Sequence, residues 1–428
     1  MRASVCLRRL GEGKRRQEVG FGRFLANPKV TVDRLIAGWS DQTGAASCGR
    51  HVLAIQDTSE IHFKTTLSRR RGLGEVGKGG RPRGLLVHAM LALDAGTGSC
   101  LGLVGGRIWN RSERVKTDRH QRRSEEKESH RWIGTANAAK ETLAQAAQVT
   151  MIADRESDIF TLWAQVPAPD FHLIIRVMQD RCLAGEGKLY DALSAAPSSA
   201  TRIINLPERE RRKARTAKLS LRFGRVDLAA PRYSEPDLPT AVPLNYVEVI
   251  EQDPPEDAEK VHWRLLTTHP LPDAEAAWQI VDWYKMRWVI EQFWRLLKRQ
   301  GLQLEDSQLE TAERLLKLTA IATKAAVTTL QLLQARDGRG KEPAKTAFKP
   351  HELALLERLD VKYQGKTVLQ QNPHDKRSLA WAAWLIARLG GWDGYPSSKP
   401  AGPITFKHGL EQFYALVNAA HLLDVCIP

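Results

Sequence analysis

The sequence predicts an α/β core, then a mostly β segment, then a helical C-terminal region. Three observations lead there. Two short apolar runs, VLAIQ and VTMIA, each lead into an aspartate, Asp57 and Asp154. Between and after them, stretches of helical spacing alternate with further strand-like runs. Beyond residue 273 the chain turns almost entirely to helical periodicity.

Residues 1–50 are basic and partly helical, with a polar connection before His51. The run 51–57 has the pattern of a short buried strand ending on Asp57. Residues 68–84, SRRRGLGEVGKGGRPRG, form a Gly- and Arg-rich basic loop. Two strand candidates follow at 85–94 and 100–109, joined by the turn Ala95-Gly-Thr-Gly. The charged stretch 110–131 reads as a solvated loop. Residues 133–147 are helical, 149–154 form a strand ending on Asp154, 157–165 are helical, and 171–177 form another strand. Residues 183–272 carry strand-like pieces at 217–228, 244–250 and 261–267 between Pro-rich and charged turns, a mostly β insertion. Residues 273–300 read as one long helix, and further helices are expected near 309–335, 376–389 and 409–423. The corresponding division is 1–50, 51–182, 183–272, 273–305 and 306–428.

Composition narrows the class of function. With 428 residues and 42% hydrophobic content, the chain can build two or three real cores. Lys and Arg total 64 against 49 acids, a net charge of +15 that favours a polyanionic partner, nucleic acid first. Five scattered cysteines without a CxxC pair argue against a disulfide framework or a zinc module. No apolar run approaches the roughly 20 residues of a membrane span, and the basic N-terminus lacks a signal peptide's apolar stretch. A cytoplasmic location without membrane attachment is therefore expected.

The residues that carry chemistry are acidic. In open α/β sheets the carboxyl ends of strands line the ligand crevice, so neighbouring strands can bring Asp57 and Asp154 side by side. A strand-terminal aspartate also commonly just begins a turn. The long helix adds Tyr284, Arg287, Glu291 and Lys298, spaced three, four and seven apart. At about 100° per residue they lie within roughly 60° of one another, opposite Met286, Val289, Ile290, Phe293, Leu296 and Leu297. A solvated face with an Arg287–Glu291 ion pair has the same periodicity. Three carboxylates are the hard oxygen ligands that Mg²⁺ or Mn²⁺ prefers, and two such ions about 4 Å apart support in-line phosphoryl transfer. Tyr, Arg and Lys beside them suit phosphate oxygens. By alternation Trp263 lies in a strand, where an aromatic is ordinarily core.

The motifs DTSE at Asp57, DRESDIF at Asp154 and Y-x2-R-x3-E-x6-K in YKMRWVIEQFWRLLKRQG resemble those of bacterial insertion-sequence DDE transposases with the Tyr-Arg-Glu-Lys signature. The resemblance runs from about Gly20 to the C-terminus through FGRFLANPKV, EKESHRW, TAKLSLRFGRVDL, HWRLLTT and IARLGGW. It implies a ribonuclease H-like catalytic core interrupted by the β insertion. It implies cut-and-paste DNA cleavage and strand transfer through a hairpin intermediate. Asp57, Asp154 and Glu291 would be catalytic and hold Mg²⁺, for which Mn²⁺ could substitute. Arg176, Tyr284 and Arg287 would bind the phosphate beside the cleaved end, and Lys298 the DNA backbone. Trp263 would stack on a flipped base. Double-stranded DNA, both element ends and target, would be the partner of a nucleoid-associated homodimer, its C-terminal domain joining subunits with Leu410, Phe413, Leu416 and Val417 as candidate contacts. Such proteins usually carry a helical DNA-binding domain before the core, whereas about 50 residues precede the first strand here. That raises a second reading, an N-terminally truncated copy that dimerises with intact transposase and inhibits it. A metal nuclease without transposition is a weaker third.

Overall fold

The computed structural model describes residues 5–425 except 12, 64–71, 78–81, 112–126, 207–213, 233, 257 and 396. Residues 68–71 and 78–81 of the basic loop and most of the charged stretch 110–131 therefore lie outside the described residues.

Four short helices come first: α1 (Leu7–Leu10), α2 (Arg15–Ala26), α3 (Val32–Ala37) and α4 (Thr43–Ser47). The strands β1 (His51–Phe63), β2 (Gly74–Glu75), β3 (Arg83–Asp94) and β4 (Cys100–Trp109) follow. Next come α5 (His130–Thr142), β5 (Gln148–Ala153), α6 (Phe160–Gln165), β6 (Phe171–Arg176) and α7 (Leu189–Ala195). Four antiparallel partners succeed them: β7 (Ala200–Leu206), β8 (Arg215–Ala229), β9 (Ala241–Gln252) and β10 (His262–Thr267). Helices α8 (Ala274–Lys285), α9 (Trp288–Arg295), α10 (Ala312–Ala335), α11 (Pro350–Tyr363), α12 (Leu379–Leu389) and α13 (Pro403–Val425) complete the chain.

All ten described strands join one mixed sheet, in the order β2-β3-β1-β5-β6-β10-β9-β8-β7 with β4 also on β3. Strand β1 runs antiparallel to β3 and parallel to β5, and β5 runs parallel to β6. This is the antiparallel-then-parallel arrangement of a ribonuclease H-like core. The β insertion does not form a separate sheet. Strand β10 returns antiparallel against β6, so the insertion widens the core sheet. The reason is the edge: β6 would otherwise expose unpaired backbone groups, which a returning strand satisfies.

Alternation then separates two cores. Leu53 and Ile55 of β1 face α8, α9 and α10, while Val52 and Ala54 face α5, α6 and α7. The strands near the centre are buried on both faces, which is why they read as unbroken apolar runs. A third cluster around Phe348, Trp381, Trp384, Phe406 and Phe413 holds α10 to α13 together. Gly106 of β4 marks a close approach. A Cβ there would lie 2.1 Å from the His88 carbonyl and 2.9 Å from the ring of Trp39. Trp39 in turn donates its indole N–H to the Ala320 carbonyl at 2.9 Å, tying the N-terminal helices to α10.

Several expectations need correction. Strand β1 continues to Phe63, so Asp57 lies within it rather than at its end. Its parallel pairing with β5, however, stops at Ile55↔Ile152, so Asp57 sits just past the point where the two strands part. Residues 273–300 are not one helix. The chain ends α8 at Lys285 and restarts at Trp288, with three-residue hydrogen bonds at Met286, Arg287, Val289 and Ile290. It then widens into a π turn over Leu296–Gln300. Strand β7 and helices α7 and α11 were not anticipated. Among the candidate subunit contacts, Phe413 is fully buried and Leu410 nearly so, within the protein's own helical core. Phe413 meets Phe348 edge-on at 5.6 Å. Leu416 remains 39% exposed.

At the N-terminal end of the parallel strands three histidines gather. The Thr150 hydroxyl lies 2.8 Å from Nε2 of both His51 and His269. His172 stacks on His269 with ring centroids 4.0 Å apart, and Trp283 of α8 packs edge-on against His51 at 4.7 Å.

Candidate active site

Asp57 is brought to the site by β1 and Asp154 by the turn that follows β5. Neither is loose. Asp57 Oδ1 accepts from the backbone N–H of Thr58 at 2.8 Å, and its Oδ2 accepts from the Trp294 indole at 3.1 Å. Asp154 caps a short 3₁₀ turn, its Oδ1 accepting from Glu156 N at 3.0 Å. Trp294 lies one turn beyond Glu291 on α9, so the bond from Trp294 to Asp57 anchors the glutamate's helix to the aspartate's strand. The break after Lys285 matters here. Tyr284 before it is 4% exposed, whereas Glu291 beyond it retains 38% side-chain exposure. The uninterrupted Tyr–Arg–Glu–Lys face expected from periodicity is therefore not the arrangement found.

Electrostatics report how near these groups are. Burial, together with the negative charge of Asp154 and more weakly of Glu291, pushes the Asp57 carboxyl up to about 7. Arg287 opposes this. Its Nη1 is 4.0 Å from Asp57 Oδ2 and 3.4 Å from Glu291 Oε1, so the guanidinium lies between two of the three carboxylates. Burial alone would lower Arg287, but Tyr284, Asp57, Glu291 and Asp154 hold it above its ordinary value. Burial raises the Tyr284 phenol, with Arg287 and Arg176 beside it. Burial lowers Arg176, whose Nη2 donates to the His262 carbonyl at 3.2 Å. Trp263 is partly buried, packs against the hydrophobic core and meets the Tyr284 ring edge-on at 5.7 Å. Lys298 lies on the π turn, lowered by burial and within electrostatic reach of Glu305, Glu60 and Asp57.

The structure thus gathers Asp57, Asp154, Glu291, Tyr284, Arg287 and Arg176 into one electrostatically linked cluster, with Trp263 on its rim. Among the described residues, no three acidic, histidine or cysteine side chains lie close enough together to hold a metal ion. The donor set itself fits a hard divalent cation. Three carboxylates from separate elements act on one electrostatic neighbourhood, and one of them, raised by burial and by Asp154, carries a burden that a cation would relieve. Arg287 supplies part of that positive charge.

Sequence reasoning missed the support behind the aspartates. Arg131, at the start of α5, donates from Nε to Thr58 Oγ1 at 2.9 Å and from Nη2 to Glu156 Oε2 at 2.8 Å. Thr58 Oγ1 also meets His88 Nδ1 at 2.9 Å, and His88 Nε2 meets Gln56 Oε1 at 3.0 Å. The only sequence signals were adjacency, since Thr58 follows Asp57 and Glu156 lies two beyond Asp154, and the EKESHRW motif that ends on Arg131 and Trp132. A cavity of about 840 Å³ opens beside this cluster, lined by Arg131, Trp132, Arg155, Glu156, Met178 and Arg181 among others.

A family model described as "Transposase DDE domain" matches residues 110–327, just over half of the chain. The matched span includes Asp154 and Glu291 and begins after Asp57. Among solved structures, the cryo-EM structure of a piggyBac transposase synaptic complex with hairpin DNA is similar at 8% sequence identity and a TM-score of 0.35. The likeness covers 68% of this chain and 49% of that one, so the chain spans about half the length of that protein.

Proposed function

This chain belongs to the transposase DDE domain family, and from that premise we propose that it cuts and rejoins DNA at mobile-element ends by metal-dependent phosphoryl transfer. The observation that carries the reading is the placement of the Arg287 guanidinium between Asp57 and Glu291, with Asp154 close enough to raise Asp57 further. We assign it to the bacterial insertion-sequence group whose helix carries Tyr284, Arg287, Glu291 and Lys298, and whose cleaved ends pass through a hairpin.

Asp57, Asp154 and Glu291 would hold the divalent cation, Mg²⁺ or Mn²⁺. Bound there, such an ion lowers the pKa of a water or DNA 3′-hydroxyl and stabilises the leaving oxygen of an in-line displacement. The remaining groups orient the DNA. Arg176 and Arg287 offer planar guanidinium edges to the oxygens of the phosphate next to the cut. The Tyr284 phenol, raised by burial, keeps its proton on Oη and donates it in a hydrogen bond. Lys298 serves the backbone further out. When an incoming phosphate takes Arg287, the guanidinium leaves Asp57 and Glu291, and their charge is then free for the cation. DNA and metal binding would thus favour one another. The +15 net charge supports sequence-independent binding that weakens steeply with salt.

On this reading the catalytic core spans 51–182 and 273–305, the insertion 183–272, and the helical region 306–428 joins two subunits on paired DNA ends. Among the described residues of α13, Leu416, Tyr414 and Ile404 are each at least 38% exposed and offer apolar surface for that contact. Its place of work would be chromosomal DNA in the cytoplasm. No helix among the described residues is long and apolar enough to cross a membrane.

The test uses linear duplexes carrying element ends with flanking DNA, incubated with the protein and Mg²⁺ or with a chelator. Cleavage at the element boundary in Mg²⁺ alone, with a denaturing-gel strand of twice the single-end length, is the expected result. Cleavage that ignores the boundary, or persists in chelator, would refute the reading.

Trp263 gives a finer prediction. Stacking on an extruded base is worth about 1–3 kcal/mol, or roughly 5- to 150-fold. Trp263→Ala should therefore slow hairpin formation by at least about fivefold and leave the first nick nearly unchanged. Equal slowing of both steps would instead make Trp263 a packing partner of Tyr284.

A further inference from the structure

The two aspartates sit on different segments, and their separation must be fixed by something other than sheet pairing. Parallel pairing between β1 and β5 ends at Ile55↔Ile152, before either aspartate is reached. Asp57 Oδ1 accepts from Thr58 N, and Asp154 Oδ1 accepts from Glu156 N. Arg131 joins that strand to that turn: one edge of its guanidinium donates to the Thr58 hydroxyl and another to the Glu156 carboxylate. Its Nη1 donates back to the Glu128 carbonyl at 2.8 Å, closing the start of its own helix.

The clamp is itself held. The Arg131 side chain is only 10% exposed and lies between the rings of Trp109 at 5.6 Å and Trp132 at 5.3 Å. Because the Thr58 oxygen accepts from Arg131, its proton is free to go to His88 Nδ1. Nε2–H of the neutral His88 then donates to Gln56 Oε1, and Gln56 Nε2 donates to the Trp132 carbonyl at 3.3 Å. The line of bonds runs from β1 through β3 and back to the residue after Arg131. Every donor in it has a defined direction.

We propose that Arg131 is a positioning residue: by clamping Thr58 to Glu156 it fixes the spacing of Asp57 and Asp154, and so sets how tightly the pair takes a divalent cation. The inference rests on the transposase reading above, which makes those aspartates cation ligands. Partners that orient ligands from behind typically govern affinity by about 10- to 100-fold.

The test measures Mn²⁺ uptake by the DNA-free full chain, reading free Mn²⁺ by electron paramagnetic resonance, with Arg131→Ala, Arg131→Lys and Thr58→Val beside the wild type. Arg131→Ala should raise the Mn²⁺ midpoint by about tenfold or more. Arg131→Lys should recover little of that, because an ammonium cannot present two edges at once. Thr58→Val, which leaves every charge in place, should shift the midpoint in the same direction. The Arg131→Ala/Thr58→Val double variant should be no worse than Arg131→Ala alone, the signature of a shared path. Duplex binding in chelator and cooperative thermal unfolding show that each variant is folded. A wild-type midpoint in Arg131→Ala, or full recovery in Arg131→Lys, overturns the clamp while leaving the transposase reading intact. A wild type that takes up no Mn²⁺ and does not cleave overturns both.

Discussion

Asp57→Asn, Asp154→Asn and Glu291→Gln should each reduce DNA cleavage by about a thousandfold or more, while duplex binding survives. Loss of one ligand removes several kcal/mol of charge stabilisation from the transition state, and every 1.4 kcal/mol is about tenfold in rate. Binding should persist because the proposed phosphate contacts are Arg176, Arg287 and Lys298 rather than the carboxylates. The three variants should not behave alike in the free protein. Burial and the neighbouring carboxylates raise Asp57, so its amide removes an unfavourable charge. Glu291 is more open, and its amide chiefly frees Arg287. The measurement is cleavage of labelled end duplex under single-turnover conditions, with binding titrated in parallel. Near-normal cleavage by Glu291→Gln would remove the glutamate from the proposed site. Loss of binding along with cleavage would mean that the substitution had disturbed the fold instead.

Much of that site could be read from residue types and spacing, and the parts that could not have physical reasons. The apolar runs before Asp57 and Asp154 did become adjacent parallel strands, because only strands buried on both faces tolerate such runs. What the pattern hid was that β1 goes on past Asp57. Its outer half alternates against β3 alone and carries the polar residues of an exposed strand. Periodicity placed Tyr284, Arg287, Glu291 and Lys298 on one face because it assumes a continuous 3.6-residue turn. Three-residue bonding at Met286–Ile290 breaks that assumption. No cue for the break exists in YKMRW, which lacks Gly and Pro. The β insertion was legible as strands, but their union with the core sheet depends on the antiparallel return of β10 to β6, a long-range pairing. In α13, Leu410 and Phe413 look like a contact stripe. Burial against Phe348 decides otherwise, and local sequence does not encode which surface an amphipathic helix will meet.

His269→Gln should make the protein markedly more resistant to acid. Burial, reinforced by His172 and His51, pushes His269 from an ordinary value of 6.5 down to about 3. The sign follows from proton uptake. Between those values the unfolded chain binds a proton at this position and the native protein does not, so stability falls as pH drops from 6.5. At pH 4.5 two units of that window have been crossed, a loss of about 2.7 kcal/mol at 1.36 kcal/mol per unit. His51 and His172 are lowered too, mainly by burial, and shift in the same direction. Asp94 opposes the shift at His51 and Asp170 at His172, but neither carboxylate is among the groups that act on His269. Urea unfolding at pH 7.5 and 4.5 gives the comparison. The wild type should lose about 2–3 kcal/mol more than His269→Gln over that interval. Equal losses would mean that the buried ring is not the acid-sensitive element. The effect reaches the site because Trp283, whose ring lies 4.7 Å from His51 and 5.2 Å from His269, directly precedes Tyr284. Charging the histidines would disturb the packing of Trp283, the residue before Tyr284. Cleavage by the wild type should therefore decline below pH 6 before global unfolding, and the decline should be shallower in His269→Gln.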